Sequence, residues 1–345
     1  MSAQPTLMLV GNPDVTHIGS HFRSAAHAAG LQVAFCDTRA AFAGPAPLRT
    51  LNWRLRGHRP VRLRQFSDEV VMRCRAIRPT WLLTTGLAPL DARALSAIGE
   101  LGIPRLNYLT DDPWNPAHRA AWFLEALPAY DRVCSPRRSN LADLRQLGCP
   151  QIEYLPFAYA PEVHFPEAPP DTEAGRFAAD VVFLGGADRD RVPIMTALIR
   201  AGIRPALWGG YWDRHAETRA YARGHADPRV VRQAIAGAKL ALCLVRRANR
   251  DGHAMRSYEV PAMGACMLAD DTGEHREIFG EDGQAVVYFR TIGEMVERAN
   301  WLTANAAQRE RLARSAHSLI VNGQNTYRDR LLTILRRDES GGLVS

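Results

Sequence analysis

The chain has 345 residues, 46% of them hydrophobic, which is enough apolar material for two globular domains and excludes global disorder. Its formal charge of +7 favours anionic partners, but all the basic side chains except Lys239 are arginines, so codon bias accounts for part of the excess. The single lysine stands outside any Gly-Lys-Ser/Thr sequence, which excludes a P-loop ATPase. Six scattered cysteines exclude a zinc ribbon and a disulfide framework.

Short apolar runs alternate with helical patterns through the first half of the chain. The predicted strands are 6–11, 31–36, 81–86, 105–110, 131–136 and 152–158, and the predicted helices are 19–29, 67–77, 90–100 and 137–147. Strands that alternate with helices form right-handed βαβ units around a parallel sheet. The pattern therefore predicts an N-terminal Rossmann-like domain over 1–160.

A proline- and acid-rich stretch, "PEVHFPEAPPDTEAG", opens a predicted linker at 161–178. The pattern then restarts with predicted strands at 180–186, 204–210, 240–245 and 266–271 and helices at 189–201, 228–237, 258–264, 293–304 and 306–319. This indicates a second Rossmann-like domain over 179–322. The remaining 323–345 predicts an amphipathic helix and a frayed tail, with a return to the first domain as one option. The fold class is α/β, with two doubly wound domains facing each other across a cleft.

Ligands of such sheets bind outside the carboxyl ends of the strands, which directs attention to "DGHAMRSYE" at 251–259, after the apolar run "LALCLV". A helix tolerates a proline such as Pro261 only near its first turn. A helix is therefore predicted to begin at 256–258 with Ser257 as N-cap. The free amides of that helix end suit a phosphate. A solvated helix end carries equal weight on these residues alone.

The same loop supplies the remaining donor candidates. Glu259 would accept hydrogen bonds from ribose hydroxyls, and Arg256 with Arg246 or Arg247 would neutralise a diphosphate. Asp251 and His253 would line the space beyond it. These residue types suit a nucleotide diphosphate site, with polar side chains on a solvated helix end as the equal alternative.

Two glycine pairs follow other strands of the second domain. Gly185 and Gly186 in "FLGGADRDR" permit close approach of a phosphate, with a tight turn as the equal alternative, and Arg189 follows them. Gly209 lies in "WGGYWDR", whose aromatic rings either stack a base or, more commonly, pack in the core. Neither loop has the Gly-x-Gly-x-x-Gly pattern, which argues against a dehydrogenase.

The first domain is expected to supply the acceptor contacts and any base. His17 in "DVTHIGSHF" and Asp112 in "LTDDPWNP" both follow predicted strands, although a solvated histidine and an Asp-Pro turn are the plain alternatives. The stretch "RTLNWRLRGHRPVRLR" at 49–64 has six arginines and no acid. It is either a solvated face or a contact for an anionic acceptor or membrane surface.

The region "VRRANRDGHAMRSYEVPAMGACMLADDTGEHREIFGEDGQAVVYF" at 245–289 resembles the C-terminal half of CgeB-like glycosyltransferases, which are bacterial proteins with the GT-B fold. "VVFLGGADRDRVPIM" and "LWGGYWDR" match too, and "TDDPWNP" and "EYLPFAYAPEVHFP" match more loosely. The resemblance implies that Glu259 holds the donor ribose and that Asp251, separated from it by seven residues, approaches the transferred sugar. This spacing is similar to the paired acids of retaining GT-B enzymes, although Asp251 stands where the wider pattern has glutamate.

The resemblance implies a metal-independent, retaining glycosyltransferase that uses a UDP-, GDP- or dTDP-sugar and no other cofactor. The alternatives are an inverting transferase with His17 or Asp112 as base, a nucleotide-sugar epimerase and a non-catalytic nucleotide-sugar binder. The acceptor is a glycan, a protein, a lipid-linked sugar or a small molecule. No nucleic-acid partner is expected, because the basic stretch has few interleaved aromatics. Without a signal peptide or an apolar run of about 20 residues, the sequence predicts a cytoplasmic protein with no transmembrane segment.

Overall fold

The computed structural model describes residues 4–117 and 119–336. They form two compact units. The first contains 4–156, Arg247–Asp251 and 327–336, and the second contains Phe157–Arg246 and Gly252–Thr326. The predicted linker region 161–178 lies within the second unit, and the predicted tail is divided between the two units.

The first unit is built on a parallel sheet of six strands in the order β2-β1-β3-β4-β5-β6. Its strands are β1 (Thr6–Gly11), β2 (Gln32–Asp37), β3 (Trp81–Thr85), β4 (Arg105–Tyr108), β5 (Arg132–Ser135) and β6 (Gln151–Tyr154). Leu7, Met8 and Leu9 of β1 are fully buried, as a strand covered on both faces requires. The near-continuous apolar runs of the sequence thus mark the centre of this sheet.

The second unit has another parallel sheet of six strands, in the order β12-β11-β10-β7-β8-β9. Its strands are β7 (Ala179–Leu184), β8 (Pro205–Trp208), β9 (Ala222–Gly224), β10 (Ala238–Cys243), β11 (Met267–Asp270) and β12 (Val287–Phe289). Read from β9, the order 3-2-1-4-5-6 within the unit is that of a Rossmann sheet. Strands β7 and β10 pair at its centre, where the strand order reverses.

Helices connect these strands. They are α1 (Ile18–Ala28), α2 (Arg39–Phe42), α3 (Ala46–Leu55), α4 (Leu63–Ile77), α5 (Ala92–Gly99), α6 (Ala121–Ala126), α7 (Ser139–Leu147), α8 (Ala174–Phe177), α9 (Arg191–Arg200), α10 (Pro228–Gly237), α11 (Arg256–Ala262), α12 (Gly273–Phe279), α13 (Ile292–Ala304), α14 (Ala306–Val321) and α15 (Tyr327–Ile334). Short 3-10 turns lie at Leu127–Ala129, Asp171–Glu173, Trp212–Arg214, Arg219–Tyr221 and Arg247–Asn249.

Side-chain caps fix where several helices begin. The Asp227 carboxylate accepts a hydrogen bond from Val230 N at 2.9 Å, with Pro228 as the first residue of α10. Thr291 caps α13 in the same way, through Glu294 N. Such caps satisfy amides that the helix leaves free at its start.

The end of the described chain packs in the first unit. Tyr327 of α15 stacks on His21 of α1, with ring centroids 5.0 Å apart, and meets Phe22 edge to face. The guanidinium of the buried Arg132 in β5 donates to the carbonyl of Ile334 at 3.0 Å. The amphipathic helix predicted within 323–345 is observed as α15, a core element of the first unit, and the predicted frayed tail beyond 336 lies outside the described residues.

All six cysteines are buried and free, as expected for a chain without a disulfide framework. No helix in the described ranges is long and apolar enough to cross a membrane.

Candidate active site

The carboxyl ends of β7 and β10 form the switch point of the second sheet, where the chain leaves in opposite directions. Open parallel sheets bind their ligands at this position. Gly185 and Gly186 follow β7, and Val245 with Arg246 follow β10. The predicted glycine and arginine candidates therefore meet the geometric requirement for a ligand site.

The glycines after β7 and β8 pack directly against each other. Gly209 has a φ of +138°, and a Cβ atom built on it would lie 2.5 Å from the carbonyl carbon of Gly185. The Gly185 carbonyl accepts a hydrogen bond from the indole of Trp212 at 2.8 Å. Gly209 thus serves as a backbone spacer that brings the two loops together, rather than as a position with room for a side chain.

Helix α11 begins at Arg256, within the predicted limits, but its N-cap is Met255 rather than Ser257. Ser257 is the second helical residue, and its hydroxyl accepts from Ala254 N, before the helix, rather than from an amide of the first turn. Pro261 is the sixth residue, beyond the first turn, where it removes one helical hydrogen bond. The capping prediction was wrong because the proline lies deeper in the helix than the first-turn rule assumed.

Glu259 lies in the first turn of α11 with 1% of its surface exposed. Its carboxylate contacts the guanidinium of Arg256 and lies 3.5 Å from Nε2 of His164. Burial lowers the pKa of His164, and the negative charge of Glu259 offsets only part of this shift. Arg256 also reaches the carbonyl of Leu184 at the end of β7, at 3.5 Å. One arginine therefore connects the helix start to the switch point.

His253 is fully buried, and both nitrogens of its ring are engaged within the second unit. Nδ1 lies 2.5 Å from the carboxylate of Glu274, and Nε2 accepts a hydrogen bond from Phe157 N at 3.2 Å. Because Nε2 accepts from an amide, the proton of a neutral ring sits on Nδ1 and is donated to Glu274. This geometry suits a residue that positions the loop.

Ser257 belongs to a second buried hydrogen-bond chain. Its hydroxyl lies 2.8 Å from Nε2 of His275 and accepts from Ala254 N at 3.1 Å. Nδ1 of His275 donates to the carbonyl of Asp270 at 2.7 Å, which leaves Nε2 as the acceptor for the serine proton. Burial lowers the pKa of His275 to about 4, so the ring is neutral at physiological pH.

The N-terminus of α12 packs against the loop that precedes α11, at Gly252. The Thr272 hydroxyl donates to the carbonyl of Gly252 and accepts from His275 N, which caps the helix. A Cβ atom on Gly252 would lie 2.4 Å from the carboxyl carbon of Glu274. Sequence reasoning did not select Thr272, Glu274 or His275, although "DTGEH" after a strand is a helix-cap signal that could have directed attention to them.

Asp251 belongs to the first unit, where its carboxylate is paired with the guanidinium of Arg137. Both side chains are buried, with 6% and 4% of their surfaces exposed. Arg137 also donates to the carbonyl of Thr110 at 2.6 Å. The carboxylate predicted to approach a sugar is therefore held by an arginine.

Asp112 is also committed to an ion pair. It is 1% exposed and accepts from Nε and Nη2 of Arg250 at 2.6 and 3.0 Å. The same arginine contacts Asp143 at 2.7 Å, and the two acids raise its pKa. Both carboxylate oxygens of Asp112 are therefore occupied by Arg250.

The remaining candidates are more accessible. His17 is the exposed N-cap residue of α1, and Arg189 has 97% of its side chain exposed. Arg246 is half-buried and Arg247 is exposed.

The aromatic cluster after β8 divides into core and surface. Trp208 and Trp212 are buried, so the core alternative holds for both. Tyr211 is 56% exposed, with Arg214 lying 4.3 Å from the centre of its ring. Only Tyr211 of this cluster offers a ring face to a ligand.

Comparison with known proteins adds a family match and a fold. Residues 191–336, less than half of the chain, match the family model described as "Glycosyl transferase-like". A search of curated proteins found no match to this sequence.

Several solved structures are similar over nearly their whole length. Sucrose-phosphate synthase from Thermosynechococcus elongatus is 13% identical, with a TM-score of 0.66 over 92% of this chain and 94% of that one. An Escherichia coli structure titled "Trehalose-6-phosphate", bound with UDP-2-fluoro glucose, is 13% identical, with a TM-score of 0.64 over 95% and 98%. A UDP-N-acetylglucosamine 2-epimerase of Listeria monocytogenes, described there as putative, is 13% identical, with a TM-score of 0.59 over 99% and 100%.

At these identities the likeness establishes the fold, and function has to be argued from the site. The predicted fold class is confirmed: the chain is an α/β protein of GT-B architecture, with two parallel six-stranded sheets flanked by helices.

Proposed function

We propose that this protein is a glycosyltransferase that moves a sugar from a nucleotide diphosphate sugar to a hydroxyl acceptor. The first donors to test are UDP-sugars. The glycosyltransferase-like match covers α11 and its surroundings, and a structural neighbour carries a UDP-sugar. The CgeB-like subtype is part of the same proposal, since the motif of 245–289 suggested it.

The observation that carries the proposal is the buried Glu259 at the start of α11, beside the switch point of the second sheet. A buried carboxylate costs free energy unless it has partners, and Arg256 and His164 supply them. We propose that Glu259 accepts hydrogen bonds from the donor ribose and that Arg256, Arg246 and the first amides of α11 hold the diphosphate.

In the proposed reaction a bond forms between the acceptor oxygen and the anomeric carbon while the bond from that carbon to the diphosphate oxygen breaks. The electron pair of the broken bond passes to the diphosphate, whose growing charge is stabilised by the arginines and the helix end. The departing phosphate oxygen takes the acceptor proton when the configuration is retained. We propose no catalytic metal, because these cationic groups supply the charge stabilisation that a metal would give.

Donor binding tests the assignment. We expect Glu259→Gln to weaken UDP binding at least about tenfold by calorimetry, because a buried charged acceptor of ribose hydroxyls is lost. Glu297→Gln on the exposed face of α13 is the matched control and should bind as the wild type does. Unchanged UDP affinity in a folded Glu259→Gln protein would refute the donor site.

Retention is our proposal for the stereochemistry. It is supported by the pairing of the buried Asp112 with Arg250, which occupies both carboxylate oxygens and leaves His17 as the candidate base for inversion. The anomeric configuration of the product, read by proton NMR, decides between the two. An inverted product together with an inactive His17→Ala variant would establish the alternative.

Nucleotide-sugar epimerisation is the second candidate function, because this chain shares its fold with the structure described as a UDP-N-acetylglucosamine 2-epimerase. An epimerase turns over its nucleotide sugar without an acceptor. Incubation of the protein with the UDP-sugar alone therefore separates the two reactions: we expect no 2-epimer, and transfer only when an acceptor is added.

A further inference from the structure

Helix α3 (Ala46–Leu55) lies on the surface of the first unit with almost no part in its core. Asn52 is its only buried residue, whereas Leu48, Leu51 and Leu55 are 46%, 42% and 75% exposed. A surface helix of a globular protein normally directs its apolar stripe to the core. In α3 the apolar stripe is directed to solvent.

The spacing of the leucines makes this stripe continuous. Leu48, Leu51 and Leu55 stand at positions i, i+3 and i+7, which align on one face of a helix. Trp53 is a fourth exposed apolar residue at 51%, and its ring packs 4.3 Å from that of His58. Four large apolar side chains are therefore accessible within eight residues.

Arginines surround the stripe. The six arginines of 49–64 are all exposed, and no acidic residue interrupts them: Arg49, Arg54, Arg56, Arg59, Arg62 and Arg64. None of them forms an ion pair with the described residues of the chain. Elsewhere in the first unit, exposed arginines do pair: Arg39 contacts Asp14 and Asp37, each at 2.8 Å. What distinguishes this cluster is its density, with six exposed arginines and no acid within the 16 residues of 49–64.

We propose that α3 and the segment 56–64 together dock this chain on an anionic membrane surface. A bilayer of anionic lipid complements both parts of the surface: its headgroups attract arginines, and its acyl boundary buries an apolar helix face. A nucleic acid would take up the arginines but leave the leucine stripe in water. The proposal is independent of the transferase reaction.

Flotation of the full-length chain with lipid vesicles tests this surface. We expect binding to vesicles containing about 30% phosphatidylglycerol, little binding to phosphatidylcholine alone, and release when NaCl is raised from about 0.1 M to about 0.5 M. Absence of binding to the anionic vesicles would overturn the proposal.

Two triple variants separate charge from insertion. Replacing Arg54, Arg56 and Arg59 with glutamine should weaken vesicle binding by about 100-fold, from about fivefold for each lost charge. Replacing Leu48, Leu51 and Leu55 with serine should abolish flotation while the melting temperature is kept, because these side chains are exposed. The matched control replaces the exposed Arg75, Arg145 and Arg200 with glutamine, for the same change in charge, and should bind as the wild type does.

Equal loss in the control and in the arginine variant would show a non-specific charge effect and overturn the assignment to α3. Wild-type binding by the leucine variant would also overturn it. A protein that binds a DNA or RNA oligonucleotide through the same arginines, and not the vesicles, would assign the surface to nucleic acid.

Discussion

Acidification from about pH 7 to about pH 4 should destabilise the second unit through His275. The ring is buried, and in its neutral form it donates to the Asp270 carbonyl and accepts the Ser257 proton. Protonation places a second donor on Nε2, which then faces a hydroxyl already arranged to donate. The buried hydrogen-bond chain therefore requires a neutral histidine.

The magnitude follows from the pKa. Desolvation lowers the pKa of His275 from 6.5 to about 4 in the folded state. The unfolded chain therefore binds the proton first as pH falls, so the stabilisation is complete above the unfolded pKa and is lost as pH falls from about 6.5 to about 4. A difference of about 2.5 pKa units corresponds to about 3 kcal/mol at full loss.

Urea denaturation between about pH 7 and about pH 4 measures this loss, with His275→Gln as the test variant and His27→Gln, at an exposed position of α1, as control. The free energy of unfolding of His275→Gln should fall less with acid than that of the wild type, whereas the control should follow the wild type. An NMR titration of His275 with a midpoint near 6.5 would refute the reasoning, as would an unchanged acid dependence in His275→Gln.

Three further predictions concern packing and reactivity. Gly209→Ala should lower the free energy of unfolding by about 2 kcal/mol or more and weaken UDP binding, because its Cβ would overlap the Gly185 backbone, whereas Gly175→Ala, with no atom within 4 Å, should do neither; calorimetry measures both quantities. Asp112→Asn should cost about 1 to 3 kcal/mol in urea denaturation, because Arg250 loses its buried partner, and an Asp68→Asn control on an exposed pair should cost less than about 1 kcal/mol. The six cysteines should resist iodoacetamide in the native protein and react in urea, since burial raises the pKa of every thiol, to about 11 for Cys149 and about 12 for Cys74; rapid native labelling of either would contradict this.

The sequence predicted most strands of the two sheets because a parallel strand that is buried on both faces has a short, continuous apolar sequence. β1 was predicted at 6–11 and is observed at Thr6–Gly11, and the alternation of strands and helices predicted the parallel sheets that are observed. Strands β9 and β12 were missed because they have only three residues each. Helix α3 was missed because its apolar stripe is exposed and lies among arginines, so that it does not have the pattern of a core-facing helix.

The assignment of Glu259 and Arg256 to a donor site stays a prediction. The sequence pointed to them because a strand end, a proline and a helix start lie within a few residues of one another, and the structure places both at the start of α11. Glu274 and His275 were not predicted because they belong to a different helix, α12. The hydrophobic periodicity of the sequence does not indicate that the start of α12 packs on Gly252. The pairing of Asp251 with Arg137 joins residues 114 positions apart, and no local pattern encodes such a contact.

The composition of the first unit has a consequence for how the protein is made. This unit needs Arg250 as partner of Asp112, Asp251 as partner of Arg137, and α15 to pack on α1. The whole of the second unit lies in sequence between residue 156 and α15. Residues 1–156 alone lack all of these partners. On the ribosome, the domain that is synthesised first is therefore the one that is completed last, after about residue 334 has emerged. A fragment ending at 156 should be degraded or aggregate, and separate expression of the two halves is not a route to two working domains.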